Sequence, residues 1–218
     1  MGRELELVAE AMDGGWTAAA GPFSRIAEQL LSDAHDGAAV LLCTSCTGAL
    51  ELAAMTLGIG PGDVVAVPSF TFPSTASAFA RTGARLRFID IDPNTLGMDA
   101  DHLAEQLDHR VKAVVPVHYA GRQASIEAVC AAADRVGAQV VEDNAHGMFG
   151  AHGGKALGTF GSMSTLSFHE TKNFICGEGG ALVINDRSHL ENAEILLHKG
   201  TDRRRFDRFG GSVIQPIQ

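Results

Sequence analysis

Lysine is scarce in this chain: only four occur among 218 residues, and 17 basic side chains stand against 26 acidic ones, a formal net charge of −9. A protein that grips a phosphate backbone needs a basic face, so this balance argues against nucleic acid as a partner. Long apolar runs are also missing. The longest reach about six residues before Gly, Asp or Pro interrupts them, against the ~20 that cross a bilayer, so no membrane segment is expected. The opening Met1-Gly2-Arg3-Glu4 has no apolar leader, which points to a cytoplasmic protein. Four cysteines in a chain of this length do not make a disulfide framework. There is no G-x-x-x-x-G-K-[ST] run, and the glycines of 58–63 follow a helical pattern instead of a strand, the wrong context for a dinucleotide loop. ATP and NAD folds are therefore not supported.

What is present is a globular composition, 45% hydrophobic and 20% charged, enough to build the core of one large domain. Short continuous apolar runs mark strands at Ala38–Cys43, Val64–Val67, Leu86–Asp90, Ala113–Val117, Ala138–Glu142, Met163–Phe168 and Gly180–Ile184. Continuous runs, unlike alternating ones, indicate strands buried on both faces of a mainly parallel sheet. Helical patterns fall between them at Thr47–Leu57, Ser74–Arg81, Asp99–Leu107, Ser125–Val136 and Ser188–His198, with Ser188 expected to cap the last; two further helices, Arg3–Met12 and Pro22–Ser32, precede the first strand. The repeated βαβ order predicts a doubly wound α/β domain, whose ligand crevice lies at the carboxyl ends of its strands. The basic run from Lys199 to Arg205 could bind an anion but is expected to be a solvated helix end or subunit contact.

Three segments place reactive residues at those strand ends. Cys43-Thr44-Ser45-Cys46 leads from a strand into a helix. Its C-x-x-C spacing admits a redox pair, while Ser45, Cys46 and Thr47 put hydroxyls and free N–H groups at a helix start, suited either to ordinary capping or to an anion. Glu142-Asp143-Asn144-Ala145-His146 closes a buried strand; its two carboxylates alternate faces, so one functional carboxylate, Asp143, is expected in place of an acid/base pair. Ser167-Phe168-His169-Glu170-Thr171-Lys172-Asn173 follows another buried strand and precedes a glycine-rich loop at Gly177-Glu178-Gly179-Gly180. Lys112, Lys155 and Lys199 read as solvated, whereas Lys172 is equally open to a surface role and to that of an amine nucleophile.

Taken in order, Ser45-Cys46-Thr47, Pro68-Ser69-Phe70-Thr71-Phe72-Pro73-Ser74-Thr75, Pro116-Val117-His118-Tyr119-Ala120-Gly121, Glu142 to His146, Ser167 to Lys172 and Gly177 to Gly180 resemble the DegT/DnrJ/EryC1/StrS sugar aminotransferases. The resemblance implies the large domain of a fold-type-I enzyme dependent on pyridoxal 5′-phosphate (PLP), a three-layer αβα unit with about seven mostly parallel strands. It implies that Lys172 binds PLP covalently, that Asp143 pairs with the pyridinium nitrogen, and that Phe72 stacks on the ring. Ser45, Cys46, Thr47 and Ser167 would hold the phosphate, and His146 would stand near the ring hydroxyl; Cys46 occupies a position more often glycine. No metal is implied. The expected substrates are glutamate and a nucleotide sugar, a TDP-4-keto-6-deoxyhexose, in cell-surface or secondary-metabolite sugar biosynthesis, and an intact enzyme would be a homodimer. Sugar dehydratases of this family carry histidine in place of the lysine, so Lys172 favours amino transfer. Residues 1–205, the N-terminal helices at 1–33 included, read as the PLP-binding domain and 206–218 as an irregular tail, with the family's small C-terminal domain missing. Two outcomes stay open: an active transaminase, or a truncated remnant that binds at most PLP or a homologous subunit.

Overall fold

A computed structural model describes residues 2–122 and 125–201; residues 202–205 of the basic run and the tail at 206–218 lie outside the described residues. Seven strands form one sheet: β1 (Ala39–Cys43), β2 (Val64–Pro68), β3 (Arg85–Ile89), β4 (Val111–Val114), β5 (Gln139–Asp143), β8 (Met163–Ser167) and β9 (Gly180–Ile184), in the order β1-β9-β8-β5-β4-β2-β3. Between β5 and β8 lies a short hairpin of β6 (Ala151–His152) and β7 (Lys155–Ala156). The sequence reading missed it, although Gly153 and Gly154, both at positive φ, are the residues a two-residue hairpin turn demands. The helices are α1 (Glu4–Asp13), α2 (Pro22–Asp33), α3 (Cys46–Thr56), α4 (Pro73–Ala80), α5 (Ala100–Gln106), α6 (Ile126–Asp134) and α7 (Leu190–Leu197). No helix among the described residues is long and apolar enough to cross a membrane.

The sheet is buried on both faces. Along β2, Val65 and Val67 enter one core with Leu50 and Phe79, while Val64 and Ala66 enter another with Leu103 and Val129. That alternation places α3, α4 and α7 on one side and α5 and α6 on the other, the three-layer architecture expected. The parallel pairs are β2–β3, β2–β4, β4–β5 and β5–β8. Strand β9 runs antiparallel to both β1 and β8. The loop from Phe168 to Gly179 carries no crossover helix, and without one a chain returns beside its own strand in the opposite sense.

Element boundaries shift by up to three residues from the sequence reading, two of them for a clear physical reason. Strand β4 ends at Val114 because Pro116 has no N–H to continue the ladder; pairing resumes beyond it, where the Asp143 N–H donates to Pro116 O (2.9 Å) and the His118 N–H to Asp143 O (3.1 Å). The last helix begins at Leu190, not Ser188. A 3-10 turn over Arg187–His189 comes first, and the cap is Asp186, whose carboxylate accepts from the Ser188 N–H at 2.9 Å.

Candidate active site

Asp143, Ser167 and the segment around Lys172 emerge at the carboxyl ends of β5 and β8, facing the N-terminus of α3 across a pocket of about 380 Å³. All eight residues singled out from the sequence, Ser45, Cys46, Thr47, Phe72, Asp143, His146, Ser167 and Lys172, line this one pocket.

The α3 end of the pocket is built for an anion. Ser45 is extended and caps the helix, its Oγ accepting from the Gly48 N–H at 3.0 Å while its own hydroxyl hydrogen stays available. Cys46 and Thr47 are the first two helical residues, so their N–H groups have no carbonyl one turn back, and the helix dipole adds partial positive charge there. Thr47 Oγ1 lies 2.7 Å from Ser74 Oγ, which ties α3 to the start of α4. Gly180 opens β9 directly beneath; a Cβ there would land on Cys46 N and the Ser45 carbonyl carbon. The redox reading of the C-x-x-C spacing fails, because both thiols are free and both are held protonated. Burial pushes Cys43 up to about 11, and it pushes Cys46 higher still, with the Asp143 carboxylate adding to the effect. Thiolate chemistry needs the opposite shift.

The two adjacent carboxylates part company as expected. Glu142 is fully buried behind the pocket: Oε1 accepts from the Phe160 and Gly161 N–H groups at 2.7 Å each, and Oε2 accepts from the Gly158 N–H at 3.0 Å and lies 2.7 Å from His118 Nε2. It anchors the chain after β7 to β5. Asp143 points the other way, into the pocket, and is 4% exposed. Its Oδ2 accepts from the Thr75 hydroxyl at 2.6 Å and its Oδ1 from the Ala145 N–H at 3.2 Å. Both bonds come from neutral donors, so this nearly buried carboxylate can also accept from a cationic or N–H-bearing ligand in the pocket. Thr75 was not foreseen; its spacing of four from Thr71 at a helix start was the available signal.

Lys172 is the lysine of the pocket. Lys112 is exposed on β4, Lys155 lies over the Phe160 ring at 4.5 Å, and Lys199 follows α7. The Lys172 amine is 2.8 Å from His146 Nε2, and His146 Nδ1 accepts from the Ala120 N–H at 3.2 Å. Nδ1 thus serves as an acceptor, and Nε2 is the nitrogen that faces the amine. Burial lowers the His146 pKa, the lysine charge lowers it further, and Asp143 opposes both. Tyr119, the one tyrosine, also lines the pocket and meets the His146 ring edge-on at 5.2 Å. Phe72 stands at the mouth, 66% exposed, with its ring unburied by protein. A helix N-terminus, a lone amine, an unpaired carboxylate and an open aromatic face together fit a flat, phosphate-bearing, carbonyl-bearing heteroaromatic.

Known proteins are similar to this chain in sequence and fold. The chain is 35% identical over 209 residues to the spore coat polysaccharide biosynthesis protein SpsC of Bacillus subtilis (strain 168), which covers 96% of the chain and 54% of that protein. DesI, solved in the presence of its TDP-sugar product, superposes with a TM-score of 0.87 at 31% identity, covering 97% of this chain and 54% of that one. Spr1654 from Streptococcus pneumoniae, solved in its PLP-form, superposes with a TM-score of 0.86 at 26% identity, covering all of this chain and 59% of that one. The chain thus spans about half the length of these relatives. The family model for the DegT/DnrJ/EryC1/StrS aminotransferases matches residues 2–215, and the chain belongs to that family.

Proposed function

We propose that this chain builds the cofactor-binding part of a PLP-dependent sugar aminotransferase that moves an amino group from glutamate to C4 of a TDP-4-keto-6-deoxyhexose. The observation that carries the reading is the single pocket in which Lys172, an unpaired buried Asp143 and the free N-terminus of α3 converge. Membership in an aminotransferase family and the PLP-form of a neighbour support the cofactor. The polysaccharide role in the name of SpsC and the TDP-sugar product of DesI support the acceptor.

PLP, when bound, supplies an electron sink that stabilises negative charge at the carbon bearing the amine. The chain's residues make that sink usable. The Cys46 and Thr47 N–H groups, with the Ser45 and Ser167 hydroxyls, would hold the phosphate. Asp143, in a site of low dielectric, would keep a proton on the pyridine nitrogen. Lys172 Nζ would tether the cofactor, yield it to the donor amine, and then carry the proton between donor carbon and cofactor. His146 would orient that amine and the ring hydroxyl, and Phe72 would cover the ring against water.

Borohydride reduction of the PLP-treated chain followed by peptide mapping tests the assignment. The label is expected on Lys172, with a visible absorption band before reduction. A label on Lys112, Lys155 or Lys199, or no band at all, overturns it.

A further inference from the structure

Asp143 is oriented by a hydroxyl chain that begins at the pocket surface. Thr71 Oγ1 lies 2.7 Å from Thr75 Oγ1, and Thr75 Oγ1 lies 2.6 Å from Asp143 Oδ2. A carboxylate only accepts, so the Thr75 hydroxyl donates to Asp143 and must in turn accept from Thr71. The direction of both bonds is thereby set: Thr71 to Thr75 to Asp143. Thr75 is fully buried behind the lining, while Thr71 and Ser74, which precede it in the chain, reach the pocket. Ser74 is bonded to Thr47 at the anion end. The five residues Thr71 to Thr75 therefore touch both ends of the pocket and carry Phe72 between them.

We infer that Thr75 is a positioning residue for Asp143, holding the carboxylate in the rotamer that meets a ring nitrogen, and that Thr71 fixes the Thr75 hydroxyl. The inference rests on the PLP reading above. A bond donated to a charged acceptor in a dry site is strong and directional, so its loss frees the carboxylate to rotate about its own axis. The Ala145 N–H alone, at 3.2 Å, leaves that rotation weakly opposed.

The test separates hydroxyl from methyl. Thr75→Val keeps the shape and removes the hydroxyl; Thr75→Ser keeps the hydroxyl and removes the methyl. PLP affinity of each full chain is read from the visible band, with urea unfolding alongside. Thr75→Ser is expected to bind within about twofold of the parent and Thr75→Val about tenfold more weakly. In an Asp143→Asn background the Thr75→Val loss is expected to shrink below about twofold, because a residue that acts through Asp143 has nothing left to orient. Equal affinity for the Val variant and the parent, or weaker binding by Ser than by Val, assigns Thr75 to packing and overturns the inference. If Thr75→Val does not fold, Thr71→Val decides, and unchanged affinity there also overturns it. A parent chain that takes no PLP on Lys172 fails the functional reading instead, a result distinct from all of these.

Discussion

His146 is held between a peptide N–H and an amine, and that position controls its charge. Protonation would place a hydrogen on Nδ1, facing the Ala120 N–H that it now accepts from, and a positive ring beside Lys172. Its pKa accordingly lies below the free value of 6.5, burial being the largest cause. On acidification the unfolded chain binds this proton first, so stability falls as pH drops from 6.5 towards the folded pKa and levels off below it. The ring is half-buried and solvent screens it, so the slope is shallow. An NMR titration of the His146 ring should give a midpoint below 6.5, and His146→Gln should flatten the urea midpoint across that window; a midpoint at or above 6.5 contradicts the geometry. Lys172 and His146 were both named from the sequence, but the contact between them, across 26 residues, was not.

The anion end of the pocket exists because one helix lies on one strand. Helix α3 approaches β9 so closely that only glycine fits at 180, and the atoms a Cβ would meet are backbone, which no rotamer change can clear. Gly180→Ala should therefore displace the first turn of α3, costing about 1–3 kcal/mol in urea unfolding and weakening PLP binding. Ser45→Ala removes the cap alone and should cost about 1 kcal/mol. If Gly180→Ala binds PLP as well as the parent, the close approach does not set the site. The glycine-rich segment 177–180 was visible in the sequence as a flexible, close-packing loop; that its last member packs on the first turn of α3 is something only the neighbouring helix reveals.

At the scale of the molecule, much apolar surface faces outward. Helix α1 buries none of its residues, and Leu5, Val8 and Met12, spaced to share one face, are 86%, 56% and 66% exposed. Phe149 and Phe174, edge-to-face at 5.8 Å, add a second patch with Ile175. Contiguous exposed apolar surface favours association. In line with the self-association expected from the family resemblance, sedimentation velocity should show a dimer that Leu5→Glu with Met12→Glu weakens. A monomer at every concentration would contradict this.

The sequence by itself located the seven sheet strands and the helices to within a few residues, because doubly buried strands and amphipathic helices write their burial into local composition. It also marked candidate residues: lysine is rare here, Asp143 closes an apolar run, and the family resemblance added Ser167. Alternation along β5 even separated Asp143 from Glu142. The tertiary structure alone decided the antiparallel sense of β9, the hub of N–H groups on Glu142, and the hydroxyl chain from Thr71 to Asp143. Each depends on contacts between distant segments, 68 residues apart for Thr75 and Asp143 and 119 for Cys46 and Thr165. Local pattern records only whether a residue is buried; which neighbour it meets is set by the order in which strands join the sheet.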